Sequence, residues 1–416
     1  MRMLLLNIKE LAMIVPQGTT RLAGQDMLTG HTSLSSAWLR ISSDGKIENF
    51  GSMVCAPEPR NDEQILNLDD RCVLPCFCDS HTHIIYPAPR HDEWLGKIQG
   101  LTYEEIARRG GGILNSADRL AESSEEKLFE DARRRAMQMI AAGTGAMEIK
   151  TGYGLDTPNE LKMLRVAARL REELPANVKI TFLGAHAVGR KYTGRIDEYV
   201  EMLLKEMLPA VAAEGIADYV DVFCDEGFFT PAHTQKILEA AARYGLKPKI
   251  HANELAISGG VQVGVRNNAV SVDHLERTGA EEIECLAASS TIPTMLPGAS
   301  FFSNLPYGNA RAAVDAGLPL ALASDYNPGS SPSGDMRMVW ALACMKMKLL
   351  PREALAACTL NGAAAMELSH ETGAITPGAR ANLIITKHIA DINYIPYAYT
   401  EPWIDKIILD GNVIFG

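Results

Sequence analysis

The chain has 416 residues, 47% of them hydrophobic, and a formal net charge of -11 at pH 7. That length exceeds one small domain and fits one large barrel plus an accessory part. The negative balance argues against nucleic acid and anionic membrane as partners, which need a positive field, but leaves room for an anionic substrate met by one local Arg.

The N-terminus, MRMLLLNIKELAMIV, carries an apolar run broken by Asn7, Lys9 and Glu10. This is a strand pattern rather than the longer apolar stretch of a signal peptide. No segment approaches the roughly 18 uninterrupted apolar residues of a membrane span. The 8 Cys then read as reduced thiols of a cytoplasmic protein. Up to residue 71, short apolar runs alternate with turn residues, and Ser43-Asp44-Gly45 marks a hairpin. The C-terminal end has the same alternation, with ANLIITK followed by DKIILDGNVIFG, where Asp410-Gly411 makes a second hairpin turn. We therefore expect residues 1–71 and 376–416 to form one composite β-sandwich domain, since the ends of a domain often lie close together.

Between them, residues 72–375 alternate strand-like and helical patterns. Eight runs end in polar residues: VLPCFCDSHTH, GAMEIKTGYG, KITFLGAHA, YVDVFCDEG, KPKIHANE, AVSVDHLE, TIPTMLPGAS and LPLALASD. The helical stretch SSEEKLFEDARRRAMQMIAAG has Ser123 and Glu126 at capping-box spacing. Two others close with a Gly. Eight such repeats over about 300 residues predict an α/β fold, a (β/α)₈ TIM-like barrel, rather than an open doubly wound sheet. No dinucleotide fingerprint follows the first strand, and Gly110-Gly111-Gly112 follows a helix-like stretch, which speaks against a phosphate loop. Cys72, Cys76 and Cys78 are spaced C-x₃-C-x-C, not as the paired C-x₂-C of zinc ribbons, and read as buried small hydrophobes.

Catalytic side chains of such barrels gather at the C-terminal ends of the strands. The first run ends in Asp79-Ser80-His81-Thr82-His83, and a side-chain period of two points His81 and His83 the same way. The fifth ends in His251-Ala252-Asn253-Glu254, and the eighth in Asp325. A lone H-x-H is weak. Joined to a His ending strand five and an Asp ending strand eight, it becomes a specific ligand set. Of 10 His, five fall at strand ends: His81, His83, His186, His251 and His274. His81, His83, His251 and Asp325 suit zinc or iron and leave a position open for a water whose pKa the metal lowers.

The motifs DEWLGKIQGLTYEEIARRGGGI, EIKTGYGL, FLGAHA, DVFCDEGFFT, HANEL, SVDHLE, LPGASFF and SDYNPGSSP, with the tail GAITPGARANLIITK, resemble those of the imidazolonepropionase family in the amidohydrolase superfamily. The resemblance implies hydrolysis of the cyclic amide 4-imidazolone-5-propanoate to N-formimino-L-glutamate in histidine degradation. It also implies a homodimer with a small anionic substrate and one Zn2+ or Fe3+ per subunit. Some superfamily members bridge two metals with a carboxylated Lys ending strand four. Here Lys150 ends strand two and strand four ends in Cys224-Asp225-Glu226, so one metal is expected.

Further roles are implied by the resemblance. Arg90 would bind the substrate carboxylate, a task suited to a planar guanidinium. Tyr153, between Gly152 and Gly154, would bind substrate by ring and hydroxyl. His186 is open between a fifth ligand and a donor to the substrate carbonyl, and the resemblance favours the donor. Asn327, Gly329 and Ser330 would contact substrate or product. Glu254 is taken as proton shuttle and substrate contact, with His274 and Asp325 assisting, in an order the sequence leaves open. Departures from the family pattern are Cys76 and Cys78, where Gly and an aliphatic residue are usual, and Asn382, where superfamily tails have Asp. All three bear on packing more than on chemistry. Two alternatives stand beside this reading: a heterocycle deaminase of the same superfamily, sharing metal and Glu, and a non-catalytic scaffold that kept the barrel. Arg90 and the EIKTGYG and NPGSSP loops favour a small carboxylated ring over the first, and the complete ligand set disfavours the second.

Overall fold

The computed structural model describes residues 2–100, 105 and 111–416. Part of the DEWLGKIQGLTYEEIARRGGGI motif, with Gly110 of the glycine run, lies outside the described residues.

In chain order the strands are β1 (Arg2–Ile14), β2 (Thr32–Ile41), β3 (Ile47–Ser52), β4 (Glu63–Pro75), β5 (Phe77–Thr82), β6 (Thr144–Lys150), β7 (Asn177–Ala185), β8 (Tyr219–Cys224), β9 (Lys247–Ala252), β10 (Ser271–His274), β11 (Ile292–Met295), β12 (Ala321–Leu322), β13 (Leu383–Thr386), β14 (Ile404–Leu409) and β15 (Asn412–Phe415). Strands β5 to β12 form one eight-stranded sheet in sequence order, and each run read from the sequence supplies one of them. Their pairings are parallel throughout. The sheet closes on itself where Thr82 bridges Tyr326 in parallel. At that seam His83 N donates to Tyr326 O at 2.9 Å and Asp325 N to His81 O at 3.0 Å. Barrel closure thus draws the end of β5 against the residues after β12.

The termini build a separate mixed sheet in the order β15-β14-β13-β4-β1-β2-β3. Strand β4 carries it past residue 71 to Pro75 and feeds directly into β5. Both expected hairpins are present: β2 pairs β3 antiparallel, and β14 pairs β15 around Asp410 (φ 47°) and Gly411 (φ 74°). Two positive-φ residues suit the tight turn that follows strand twist. Alternation in β13 splits its side chains between two cores. Leu383 and Ile385 join Leu5, Leu39 and Ile408, while Ile384 joins the large core that runs through the barrel. Cys76 packs in that large core, and Cys78 in a small cluster with Ala146 and Met366.

One expectation is corrected. The helix Glu125–Ala141 is capped by Ser124, whose hydroxyl accepts from Lys127 N, and not by Ser123. Ser123 Oγ donates back to Arg119 O at 2.8 Å, and Glu126 pairs with Arg169. The two adjacent serines offer the same chemistry, and the preceding helix takes the first.

Candidate metal centre

His81 Nε2 lies 3.2 Å from His83 Nε2, and His83 Nε2 3.4 Å from His251 Nε2. Asp325 Oδ1 stands 3.5 Å from His81 Nε2 and 3.6 Å from His83 Nε2. The edge of a tetrahedron drawn around an ion with bonds of about 2.1 Å is about 3.4 Å. His81, His83 and Asp325 therefore form one group at spacings that fit a shared ion, and His81, His251 and His274 form a second that shares His81 with it.

The chemistry of the rings fits too. Asp273 Oδ2 accepts from His81 Nδ1 at 2.7 Å, and Asp221 Oδ2 lies 2.9 Å from His251 Nδ1. A ring that gives its Nδ1–H to a carboxylate presents a lone pair at Nε2. His81 Nε2 thus presents a lone pair to the cluster, and the Asp221 carboxylate beside Nδ1 favours the same tautomer in His251. Burial, with neighbouring cations, holds His81 and His83 well below the usual imidazole value, and burial takes His251 down to about 3 against the pull of Asp221. Neutral rings are the ligating form. Burial pushes the Asp325 carboxyl up to about 7.

The backbone is bent at these points. Asn253 (φ 58°), His274 (φ 82°) and Asp325 (φ 54°) are left-handed where β9, β10 and β12 end. Such positions cost about 1–3 kcal/mol for a non-glycine residue and concentrate at functional sites. They turn His274 and Asp325 toward the cluster instead of along the strand. His274 Nε2 lies 3.7 Å from Glu254 Oε2 and Nδ1 lies 3.3 Å from Glu276 Oε1. Burial disfavours a charged ring, but Glu254 and Glu276 outweigh it and hold His274 well above the usual value. Both ring nitrogens thus face carboxylates, which favours the protonated ring.

The residues expected to contact substrate lie around this cluster. His186 stacks on His83 at 5.3 Å and 17°, and Tyr153 lies 5.5 Å from His186 between ring centres. His186 Nδ1 donates to Gly152 O at 3.0 Å, and burial lowers its value to about 4, so Nε2 carries a lone pair in the neutral ring. A Cβ at Gly152 would stand 2.8 Å from that Nδ1, and its φ of 108° also demands glycine. Glu160 anchors the loop, accepting from Gly154 N at 2.7 Å, Leu155 N at 3.0 Å and Gly152 N at 3.2 Å. Arg90 packs on the face of Gly329, where a Cβ would collide with its Nη1. It is held by Glu93 Oε2 at 2.8 Å and 2.6 Å. The Asn327 amide is spent within its turn, donating to Asp325 O and accepting from Gly329 N and Ser330 N at 2.8 Å. Ser330 Oγ donates to Asp325 Oδ2 at 3.3 Å.

Residues 72–414 match the amidohydrolase family. The imidazolonepropionase of Christiangramia forsetii is 48% identical over 414 residues, covering 100% of both chains. That of Flavobacterium johnsoniae is 49% identical over 411 residues, covering 99% of both. The chain belongs to the imidazolonepropionase family of amidohydrolases. It is thus a metal-dependent hydrolase. Among solved structures, guanine deaminase from E. coli superimposes with a TM-score of 0.74 at 12% identity, covering 100% of this chain and 99% of that one, which speaks for the fold alone.

The motifs that mark an imidazolonepropionase named the residues of this cluster and its surroundings, but not the charged residues behind them. Asp221, Asp273, Glu148, Lys150 and Lys249 are wholly buried inside the barrel. Each is a charge set among the apolar residues of a strand run, as in YVDVF or AMEIK. That break in pattern is the signal that marks them in the sequence. Lys150 meets all three of these carboxylates. Asp79 takes Ser324 N at 3.0 Å and Ser324 Oγ at 2.5 Å, fixing the residue before Asp325.

Proposed function

We propose that the chain hydrolyses 4-imidazolone-5-propanoate to N-formimino-L-glutamate, with one Zn2+ or Fe3+ held by His81, His83, His251 and Asp325. The observation that carries the substrate is the end-to-end match to imidazolonepropionases. The site supports it: a metal cluster, a charged His–Glu pair beside it and an Arg at its rim suit a small ring with a carboxylate tail.

When bound, the ion supplies Lewis acidity and lowers the pKa of a water in its open position. Glu254 takes a proton from the attacking water and delivers it to the ring nitrogen as the carbonyl C–N bond breaks. His274, charged between two glutamates, donates to the carbonyl oxygen as negative charge develops there. This orders the three candidates: Glu254 as base, His274 as electrostatic donor, Asp325 as ligand. Arg90 pairs the propionate, and Glu93 keeps its guanidinium in place until then. Tyr153 covers the ring. His186, with its lone pair inward, accepts a ring N–H rather than donating to the carbonyl. Asn327 shapes the turn that sets Gly329 against Arg90, and Ser330 steadies Asp325. A homodimer is the expected assembly.

The test is the reaction itself. Metal-loaded protein should remove the imidazolone absorbance and yield one N-formimino-L-glutamate per ring consumed, without ammonia. No consumption of this ring, with ammonia released from a purine instead, would replace the reading with a deaminase.

A further inference from the structure

Below the metal cluster the barrel interior is charged, where such barrels usually pack branched aliphatic layers. Lys150, at the end of β6, is fully buried there. Its Nζ donates to Glu148 Oε1 at 2.6 Å and Asp221 Oδ2 at 2.8 Å, and lies 3.4 Å from Asp273 Oδ2. These aspartate oxygens are the same two atoms that face the imidazoles. Asp221 Oδ2 is 2.9 Å from His251 Nδ1 and Asp273 Oδ2 is 2.7 Å from His81 Nδ1. One ammonium therefore reaches two histidines, on β9 and β5, through one oxygen each.

The ammonium has little freedom to leave. Glu148 is fixed by Thr181 Oγ1 at 2.6 Å and by Lys249, whose Nζ also donates to Ser80 O and Ala365 O at 3.2 Å. Asp273 is fixed on its other oxygen by Ser271 Oγ at 2.5 Å. Without Lys150, three buried carboxylates would crowd together with Lys249 as their nearest remaining lysine. Repulsion or proton uptake would then turn Asp221 and Asp273 away from the Nδ1 atoms they orient.

We propose that Lys150 is a positioning residue for the metal: it fixes Asp221 and Asp273 together and through them sets the rings of His251 and His81. The inference rests on the metal site proposed above. A carboxylate behind a ligating histidine fixes its tautomer and direction, and losing such a partner weakens metal binding about 10–100-fold. Lys150 governs two at once and touches neither ion nor substrate.

Two variants test it. Lys150→Met removes the cation. Glu148→Gln with Lys150→Met removes one charge of each sign and keeps the cluster's balance. The readouts are the Zn2+ dissociation constant by chelator competition, the visible absorption bands of the Co2+-loaded protein, and the thermal midpoint of the metal-free protein. The double variant should melt close to wild type yet bind Zn2+ about 10–100-fold more weakly, with altered Co2+ bands reporting changed ligand geometry. A dissociation constant within about twofold of wild type, with unchanged bands, would overturn the proposal, being far below that range. So would failure of both variants to fold, which would assign Lys150 to the fold. Wild-type protein that binds no Zn2+ or Co2+ would instead sink the metal site itself.

Discussion

Asp225 Oδ2 accepts the backbone N–H groups of Glu254, at 2.8 Å, and Leu255, at 3.0 Å. Its other oxygen takes Ala256 N at 3.1 Å. One carboxylate just beyond β8 thus holds the segment that carries Glu254, the proposed proton shuttle. Asp225→Ala leaves these three N–H groups, and that of Glu226, without their acceptor. The expected result is a loss of about 2 kcal/mol or more in urea unfolding. kcat should fall with it while bound metal stays at wild-type stoichiometry. An unchanged kcat would detach Glu254 from this support.

Glu254→Gln keeps the shape of the side chain and removes the base. We expect metal content by elemental analysis to be unchanged and kcat to fall by about 10²–10⁴-fold. Loss of the metal would make Glu254 a ligand or a support for one.

Arg90 and Gly329 should fail in the same direction. Arg90→Met removes the partner for the propionate, and Gly329→Ala drives a methyl group into the guanidinium. Both should raise KM by about 10-fold or more, the scale of a lost charge-assisted hydrogen bond, with a smaller effect on kcat. A fall in kcat at constant KM would move Arg90 from binding to the chemical step.

The eight strands were legible because each pairs an apolar run with polar residues at its end, and because His is scarce enough for five at strand ends to mean something. Depth was not legible. Asp273 and His81 are 192 residues apart and meet only because the barrel brings β10 and β5 together across its interior. The left-handed turn at His274 was equally hidden, since nothing in SVDHLE separates a straight strand end from one bent inward. Local pattern names what lies at the mouth of the barrel. Which carboxylate stands behind which imidazole is a property of closure.

Metal affinity should depend on pH with a distinctive slope. Burial puts the Asp325 carboxyl at about 7 in the metal-free protein, whereas His81, His83 and His251 are held far below 6.5. The raised group carries a proton below about pH 7, and an entering ion must displace it. The depressed histidines are already unprotonated and release nothing. Affinity should therefore fall about tenfold per pH unit as pH drops below 7, with one proton released per ion. A slope of three or four protons below pH 6 would mean that the histidines titrate as ordinary imidazoles.

The central claim is a single metal ion held by His81, His83, His251 and Asp325 that the hydrolysis requires. Its most direct test is a metal titration of chelator-stripped protein, following loss of the imidazolone ring at each addition. Activity should start near zero, rise linearly and stop rising at one ion per chain. A break at two ions per chain, or full activity in the stripped protein, would contradict it.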